Sequence, residues 1–403
     1  MSVQQFLYEM QKIQGILLEF LNEKEFAEEN SQNLNKLFDD LKICDDQYKL
    51  KSLLHLLTKI ANNHYRCSNF FSNIFQILLL FKKDIKKHFS NWDIFNIFKS
   101  NKRILLFLVE EELMIMDDRV AKEIVTSYKC KKSKYPQYFA PEIKPYINEN
   151  WFQEDKELIE EINKEIPENF YELRKIGENE TTICTLIQKD MIKDFVVHIN
   201  RNNLPLDMKI ESSIYETNCL LVKKNNISLI EYAAFFGSIQ IFKYLKIEGV
   251  ELTSFLWPFA IHGKNAEIIH LLEDNDKPSS YQCKQFLMKS IKYHHNDVAK
   301  FFLDSYLQNE EDDSQVALFK SLKYYNFAFI QNSLLNESSF VVLCRDDYYP
   351  IADILLKHKN IDMNKKLFIL KLLFLIELTK KFFIMQHYIL QLKIITLKLL
   401  NFY

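Results

Sequence analysis

Glycine is scarce in this chain, with five among 403 residues, and prolines number only eight. Sandwiches of short β-strands and nucleotide-binding α/β folds need glycine at tight turns and phosphate loops, so the scarcity points to helices. An excess of charge of either sign is missing too. Lys and Arg total 52 against 54 Asp and Glu, and a net charge of −2 removes any general attraction to nucleic acid or an anionic membrane. Seven cysteines occur singly and none has CxxC spacing. That odd number in a long chain fits free thiols in a reducing compartment. The longest apolar runs, Ile77 to Phe81 and Ile104 to Val109, fall far below the ~20 residues of a membrane helix. The start, MSVQQFLYEM, is amphipathic and lacks the apolar core of a secretion signal. A cytoplasmic protein without a membrane span is expected, and the glycosylation triplets at Asn179, Asn226 and Asn336 then carry no weight.

What the chain does have is repetition. AAFFGSIQIF from Ala233, AIHGKNAEII from Ala260, SIKYHHNDVA from Ser290 and SLKYYNFAFI from Ser321 share one ten-residue pattern, with starts 27, 30 and 31 residues apart. The first residue is small and the second apolar, and the tenth is apolar or Ala. An apolar pair follows two to three residues on in the first three copies, Tyr244-Leu245, Leu271-Leu272 and Phe301-Phe302, and four to five on in the fourth, Leu334-Leu335. Self-similarity at such a period marks a solenoid of helical hairpins, each burying the next one's apolar side. The small first residues, Ala233, Ala260, Ser290 and Ser321, let neighbouring backbones approach. The fifth position ends the first helix and favours a left-handed residue, which suits Gly237; Lys264, His294 and Tyr325 stand there in the other copies. Phe242 with Leu245, and Ile269 with Leu272, are expected to seal the second helix. IFKSNKRILL from Ile97 and LIQKDMIKDF from Leu186 share the apolar spacing without the small first residue.

Ahead of the repeats the apolar spacing predicts helices over 3–21, 31–43, 47–63, 68–82, 92–100 and 102–114, with Asp46, Ser68 and Asn91 as N-caps. Tyr135 to Pro145 carries three prolines among aromatics and reads as a stiff, irregular connector. An acidic helix from about Glu154 to Lys164 follows and stops before Pro167. The division expected is a helical N-terminal domain over 1–134, a Pro-containing connector with one helix over 135–176, repeats over 177–364 and an atypical apolar tail over 365–403. The fold class is all-α.

SLIEYAAFFGSIQIFKYLKIEGVEL from Ser228 resembles an ankyrin repeat, whose pattern runs TPLHxAAxxGHxxVVxLLLxxGAD. Ser228 occupies the Thr slot, Ile230 the Leu slot and Gly249 the final Gly, while Leu229 and Glu231 depart from Pro and His. IADILLKHKNIDMN from Ile351 resembles a further second helix and finger. FNIFKSNKRILLFLVEEE at Phe95, YPQYFAPEIKPYINE at Tyr135 and IEYAAFFGSIQIFKYL at Ile230 together are similar to the large ankyrin-repeat families of trichomonad protists. That resemblance spans roughly 1–364. It implies an ankyrin-like helix-hairpin solenoid that binds a protein partner and has no catalytic activity. It also implies further repeats, so an out-of-frame translation of them is favoured for 365–403 over an apolar capping helix pair. In the family pattern the two residues after the small pair face the concave groove. By slot these are Phe235 and Phe236, His262 beside Gly263, Lys292 and Tyr293, and Lys323 and Tyr324; the alternative is that Phe235 or Tyr293 packs against the N-terminal region instead.

Chemistry-bearing motifs are weak by comparison. Gly263-Lys264 is the sole Gly-Lys pair, and Pro258 stands where a phosphate loop needs glycine. His294-His295 reads as a surface turn, and His262 with His270 as an unrelated pair, so no metal ligand is assigned. Glu110-Glu111-Glu112 reads as a solvated face, KCKKSK from Lys129 as a charged loop start, and no GxSxG elbow occurs. No catalytic, cofactor-binding or metal-binding residue is expected. The expected function is protein binding on the concave face through Phe235, Phe236, His262, Lys292, Tyr293, Lys323 and Tyr324. The competing readings are a self-associating scaffold, a degenerate gene product without a selected role, and an enzyme sited in the N-terminal helices.

Overall fold

Apolar residues three and four apart decide the first element: Phe6, Met10, Ile13, Leu17, Phe20 and Leu21 share one stripe and all are buried. The computed structural model describes residues 2–22, 28–127, 134–147, 156–224, 226–307, 311–335, 339–340, 342–343, 351–353 and 355. These are mostly α-helical. Among the described residues the strands are Lys209–Ile210 and Ile227–Ser228, paired antiparallel, and no helix is long and apolar enough to cross a membrane. Contacts divide the chain into two compact units, residues 1–5 with 331–403, and residues 6–330. In the first, Leu335, Phe340, Leu343, Ile351, Ala352 and Leu355 are buried. The tail over 365–403, and most of the further repeat expected from Ile351, lie outside the described residues.

The N-terminal helices are α1 (Val3–Leu21), α2 (Glu28–Asp40), α3 (Gln47–Asn63), α4 (Phe70–Leu80), α5 (Lys82–His88), α6 (Asn91–Phe98), α7 (Lys102–Glu110) and α8 (Asp118–Ser127). Asp46 caps α3 as its sequence position suggests, accepting from the Tyr48 and Lys49 amides. The other caps are displaced by one residue. Ser90 rather than Asn91 starts α6, through a reciprocal capping box with Asp93, and Asn69 rather than Ser68 precedes α4. The Pro-rich stretch is less irregular than expected. It forms α9 (Tyr135–Tyr138), α10 (Ala140–Ile143) and a 3-10 turn (Lys144–Tyr146), each with proline in its first turn, where a missing amide goes unnoticed. Helices α11 (Lys156–Asn163) and α12 (Phe170–Ile176) follow. Buried Arg174 ties α12 back to this stretch with a two-bond fork on Glu142, at 2.7 and 2.9 Å, and a third bond to the Tyr138 carbonyl.

The remaining helices are α13 (Thr182–Gln188), α14 (Ile192–Arg201), α15 (Cys219–Lys223), α16 (Leu229–Phe236), α17 (Ile239–Ile247), α18 (Trp257–Gly263), α19 (Ala266–Asn275), α20 (Ser280–Tyr293), α21 (Asn296–Tyr306) and α22 (Glu311–Tyr324). Each sequence copy begins inside a first helix. Those helices pack in series, α13 on α16, α16 on α18, α18 on α20 and α20 on α22. Ala233, Ala260, Ser290 and Ser321 are fully buried where these backbones meet. The fifth residue is left-handed in all four copies: Gly237 at φ 69°, Lys264 at 53°, His294 at 59° and Tyr325 at 57°. Losing glycine therefore kept the turn, at a cost of about 1 kcal/mol for each side chain held there. The stretch from Leu186 shares the turn, with Asp190 at φ 51°. The stretch from Ile97 does not, because Asn101 is extended and caps α7 instead.

Two features of the hairpins were not anticipated. Glu231, a departure from the family pattern, closes a capping box with Ser228 and so restores the start of α16. The fourth copy lacks a regular second helix and has a 3-10 turn over Phe327–Phe329. Phe242, Leu245, Ile269 and Leu272 are buried as expected, in a core that also stacks Trp257 on Phe286 at 4.6 Å.

Candidate functional site

The sixth position of each copy shows how the hairpins are joined. The Ser238 hydroxyl donates to the Ile187 carbonyl (2.5 Å), the Asn265 amide to Gly237 (3.0 Å), His295 Nε2 to His262 (3.0 Å) and the Asn326 amide to Ile291 (3.0 Å). Each acceptor lies at or near the end of the preceding first helix, where the helical ladder runs out, and the Ile187 and Ile291 carbonyls also accept from the Asp190 and His294 amides of their own turns. A carbonyl can only accept, so His295 carries its proton on Nε2. Gly263 brings α18 unusually close to α16: a Cβ there would sit 2.2 Å from the Ala234 carbonyl oxygen. No side chain fits at that crossing.

On this frame the seven slot residues separate into two groups. Phe235, His262 and Tyr293 are buried, which for Phe235 and Tyr293 is the alternative to partner contact and for His262 departs from the slot assignment. His262 stacks flat on Phe235 at 3.9 Å, points Nδ1 at the Phe235 carbonyl (3.2 Å) and meets the Tyr293 ring edge-on at 5.2 Å. The physical reason for burial is apolar area. Aromatic groups on successive hairpins form a patch that water disfavours, and the N-terminal helices cover it. His64, at the end of α3, bonds the Tyr293 carbonyl through Nδ1 at 2.7 Å. Tyr65 and Arg66 line a small cavity with Glu178, Glu216, Asn218, Phe235, Phe236 and His262, with room for about one water molecule. Farther along the seam, Gln14 of α1 accepts from the Phe327 amide (2.7 Å) and donates to Asn326 (2.9 Å).

Phe236, Lys292 and Tyr324 are half-buried and Lys323 is exposed. The Lys292 ammonium stands 5.4 Å from the Tyr293 ring and 5.7 Å from that of Tyr324, while Lys320 and Lys323 approach Tyr324 at 5.6 and 5.9 Å. The slot residues of the last two copies thus bring cations onto aromatic faces.

His294 and His295 are not a surface turn. Both are buried, and a left-handed residue between helices turns them inward where adjacent positions on a continuous helix would diverge. His262 is likewise interior, whereas His270 is exposed and pairs with Glu273 at 2.9 Å, so the two stay apart. Glu110 and Glu111 make partly exposed ion pairs with Lys175 and Lys82, as a solvated face should. Of KCKKSK only Lys134 lies within the described residues.

The sequence hid one more cluster. The side chains of Arg66 and Glu216 are covered with 4.0 Å between Nη1 and Oε1, and Arg66 and Arg103 lie against the same Phe71 ring at 4.9 and 4.0 Å. Burial pushes the Glu216 carboxyl up to about 7, against the attraction of Arg66, and Lys102 down to about 7, with Glu216 opposing. Among the described residues neither Glu216 Oε2 nor Arg66 Nε and Nη2 has a hydrogen-bond partner. No family model, curated protein or solved structure matches the chain.

Proposed function

We propose that this chain is a non-catalytic protein-binding module, an ankyrin-like solenoid of helical hairpins that offers one face to a partner protein. The observation that carries the reading is the recurrence of one hairpin geometry. A buried small residue, a left-handed fifth residue and a sixth side chain bonded back to the preceding hairpin recur at every copy. Recurrence of that kind builds an extended surface rather than one deep pocket. The likeness to the trichomonad ankyrin-repeat families belongs to the same reading.

The recognition patch is the part of the slots that keeps surface: Phe236, Lys292, Lys323 and Tyr324, with Lys320 beside them. Aromatic anchors supply most of the energy at protein interfaces, and ammonium groups over them favour a partner carrying carboxylates. The test is crosslinked capture from the native cell with the full chain, comparing wild type with Lys323→Glu/Tyr324→Ala. A partner held by the wild type should be lost from the variant while helicity and unfolding midpoint stay the same. An unchanged set of captured proteins would refute the assignment.

A further inference from the structure

Four buried histidines gather where the N-terminal helices meet the hairpin ends: His64 from the end of α3, His262 from α18, and His294 and His295 from the turn after α20. The rings of His64 and His295 are 4.8 Å apart. His295 uses Nε2 on the His262 carbonyl, and its Nδ1, also buried, has no hydrogen-bond partner among the described residues. His294 Nδ1 faces the Gln14 side-chain amide at 3.0 Å, and the His262 ring faces that of Asn218 at 3.4 Å through Nε2. An amide NH2 group can only donate, so both ring nitrogens serve as acceptors and have no place for a proton.

The surrounding charges oppose protonation as well. Lys264 faces His64 and His295, Lys59 faces His294, and Arg66 and Lys292 face His262. Asp297 is the carboxylate directed at His64, and Lys264 already holds it at 3.0 Å. The Tyr293 carbonyl and the Asn22 side chain favour the charged ring of His64, the Tyr324 backbone that of His294, the Phe235 carbonyl that of His262 and the His262 carbonyl that of His295; Glu178 and Glu216 line the small cavity that His262 shares with Arg66.

We propose that this seam is a proton-operated latch: when its histidines are charged, the N-terminal helices leave the hairpin ends while the hairpins stay folded. Charging His295 would put an N–H at an unpartnered buried site beside a second imidazolium, and charging His294 would turn an acceptor for Gln14 into a donor facing a donor. The bond from His295 Nε2 to His262 survives protonation, because that nitrogen already donates, so the hairpins keep their mutual attachment. Their aromatic core of Trp257, Phe286 and Phe302 has nothing to titrate. Burial agrees with this geometry, holding His64 down to about 4 and His262 and His294 down to about 3 and pushing His295 well below its ordinary value. Opening would uncover Phe235, His262 and Tyr293, and for that consequence alone the latch rests on the binding function proposed above.

The experiment follows the full chain by small-angle scattering and far-ultraviolet dichroism from about pH 7.5 to about pH 4.5, a window set by the free histidine value near 6.5. The expected result is a rise in radius of gyration with helicity retained, and roughly three to four protons taken up per opening event. His294→Gln and His295→Gln should each remove about one proton and move the opening to lower pH. Simultaneous loss of compactness and helicity would overturn the latch, as would an opening midpoint unchanged in both variants. If neither variant folds, the proton count of the unmodified chain decides, and uptake of fewer than about one proton overturns it.

Discussion

Two glycine-to-alanine substitutions should move stability in opposite directions, and the pair tests how closely α16 and α18 approach. Gly15 lies inside α1 on an exposed face, and a Cβ there meets nothing within 4 Å. Alanine at this position gains helix propensity of about 1 kcal/mol. Gly263 ends α18, where a Cβ would stand 2.2 Å from the Ala234 oxygen, 2.8 Å from the Gly237 nitrogen and 3.1 Å from the Phe235 oxygen. All three atoms are backbone, so no side chain can swing aside. Restoring ordinary contact needs the helices to part by about 1 Å, a gap that forfeits roughly a quarter to a half of the dispersion attraction across it. Overpacking of this kind costs about 3 kcal/mol, which outweighs the same propensity gain and leaves a net loss of about 2 kcal/mol. Thermal unfolding followed by dichroism reads both. The per-residue entropy of unfolding applied to residues 6–330 gives about 0.7 kcal/mol per kelvin, so Gly263→Ala should melt about 3 °C lower and Gly15→Ala about 1 °C higher. A Gly263→Ala protein as stable as wild type would mean that the helices are not in such close contact.

Asn326→Ala removes buried donors to the Ile291 carbonyl and the Asn296 side chain and an acceptor for Gln14; urea unfolding should show a loss of about 3 kcal/mol. Arg174→Met strands Glu142 near the Tyr138 carbonyl and should cost about 3 to 5 kcal/mol, most of which Arg174→Met/Glu142→Leu recovers in the same assay. Glu216→Gln tests the other buried charge. The carboxyl is raised from 4.5 to about 7, so the folded chain keeps a proton that the unfolded chain releases. Its contribution is full below about pH 4.5 and is lost as pH rises through about 7; glutamine lacks that loss. Relative to wild type, the variant should therefore gain up to about 3 kcal/mol between about pH 4.5 and pH 8, and a pH-independent difference would contradict the assignment.

The hairpins were legible because their demands are steric and local. A small residue at Ala233, Ala260, Ser290 and Ser321 is visible in one letter, and so is the apolar residue beside it. Position six was not legible, since Ser238, Asn265, His295 and Asn326 share nothing but the ability to donate. Which of the slot residues are buried was not legible for a different reason. The cover comes from Gln14 and His64, which lie 280 residues from His294 and 229 from Tyr293, and no short-range spacing signals a contact across that distance. His294-His295 misled because two adjacent residues on a helix diverge, whereas a left-handed turn brings both inward. Arg66 and Glu216 carried no motif at all; only the fold brings them together.

The acceptor in each of the four sixth-position bonds is a main-chain carbonyl, which every residue carries. Those bonds make no demand on the side chains of the preceding hairpin, whereas the α17 amides on Asp190 and Tyr306 on Glu273 do. As far as the sixth-position bonds alone go, one unit can follow another as long as it brings its own donor. The constraint falls instead on Gly263, whose crossing accepts no other residue and so fixes one junction in the series.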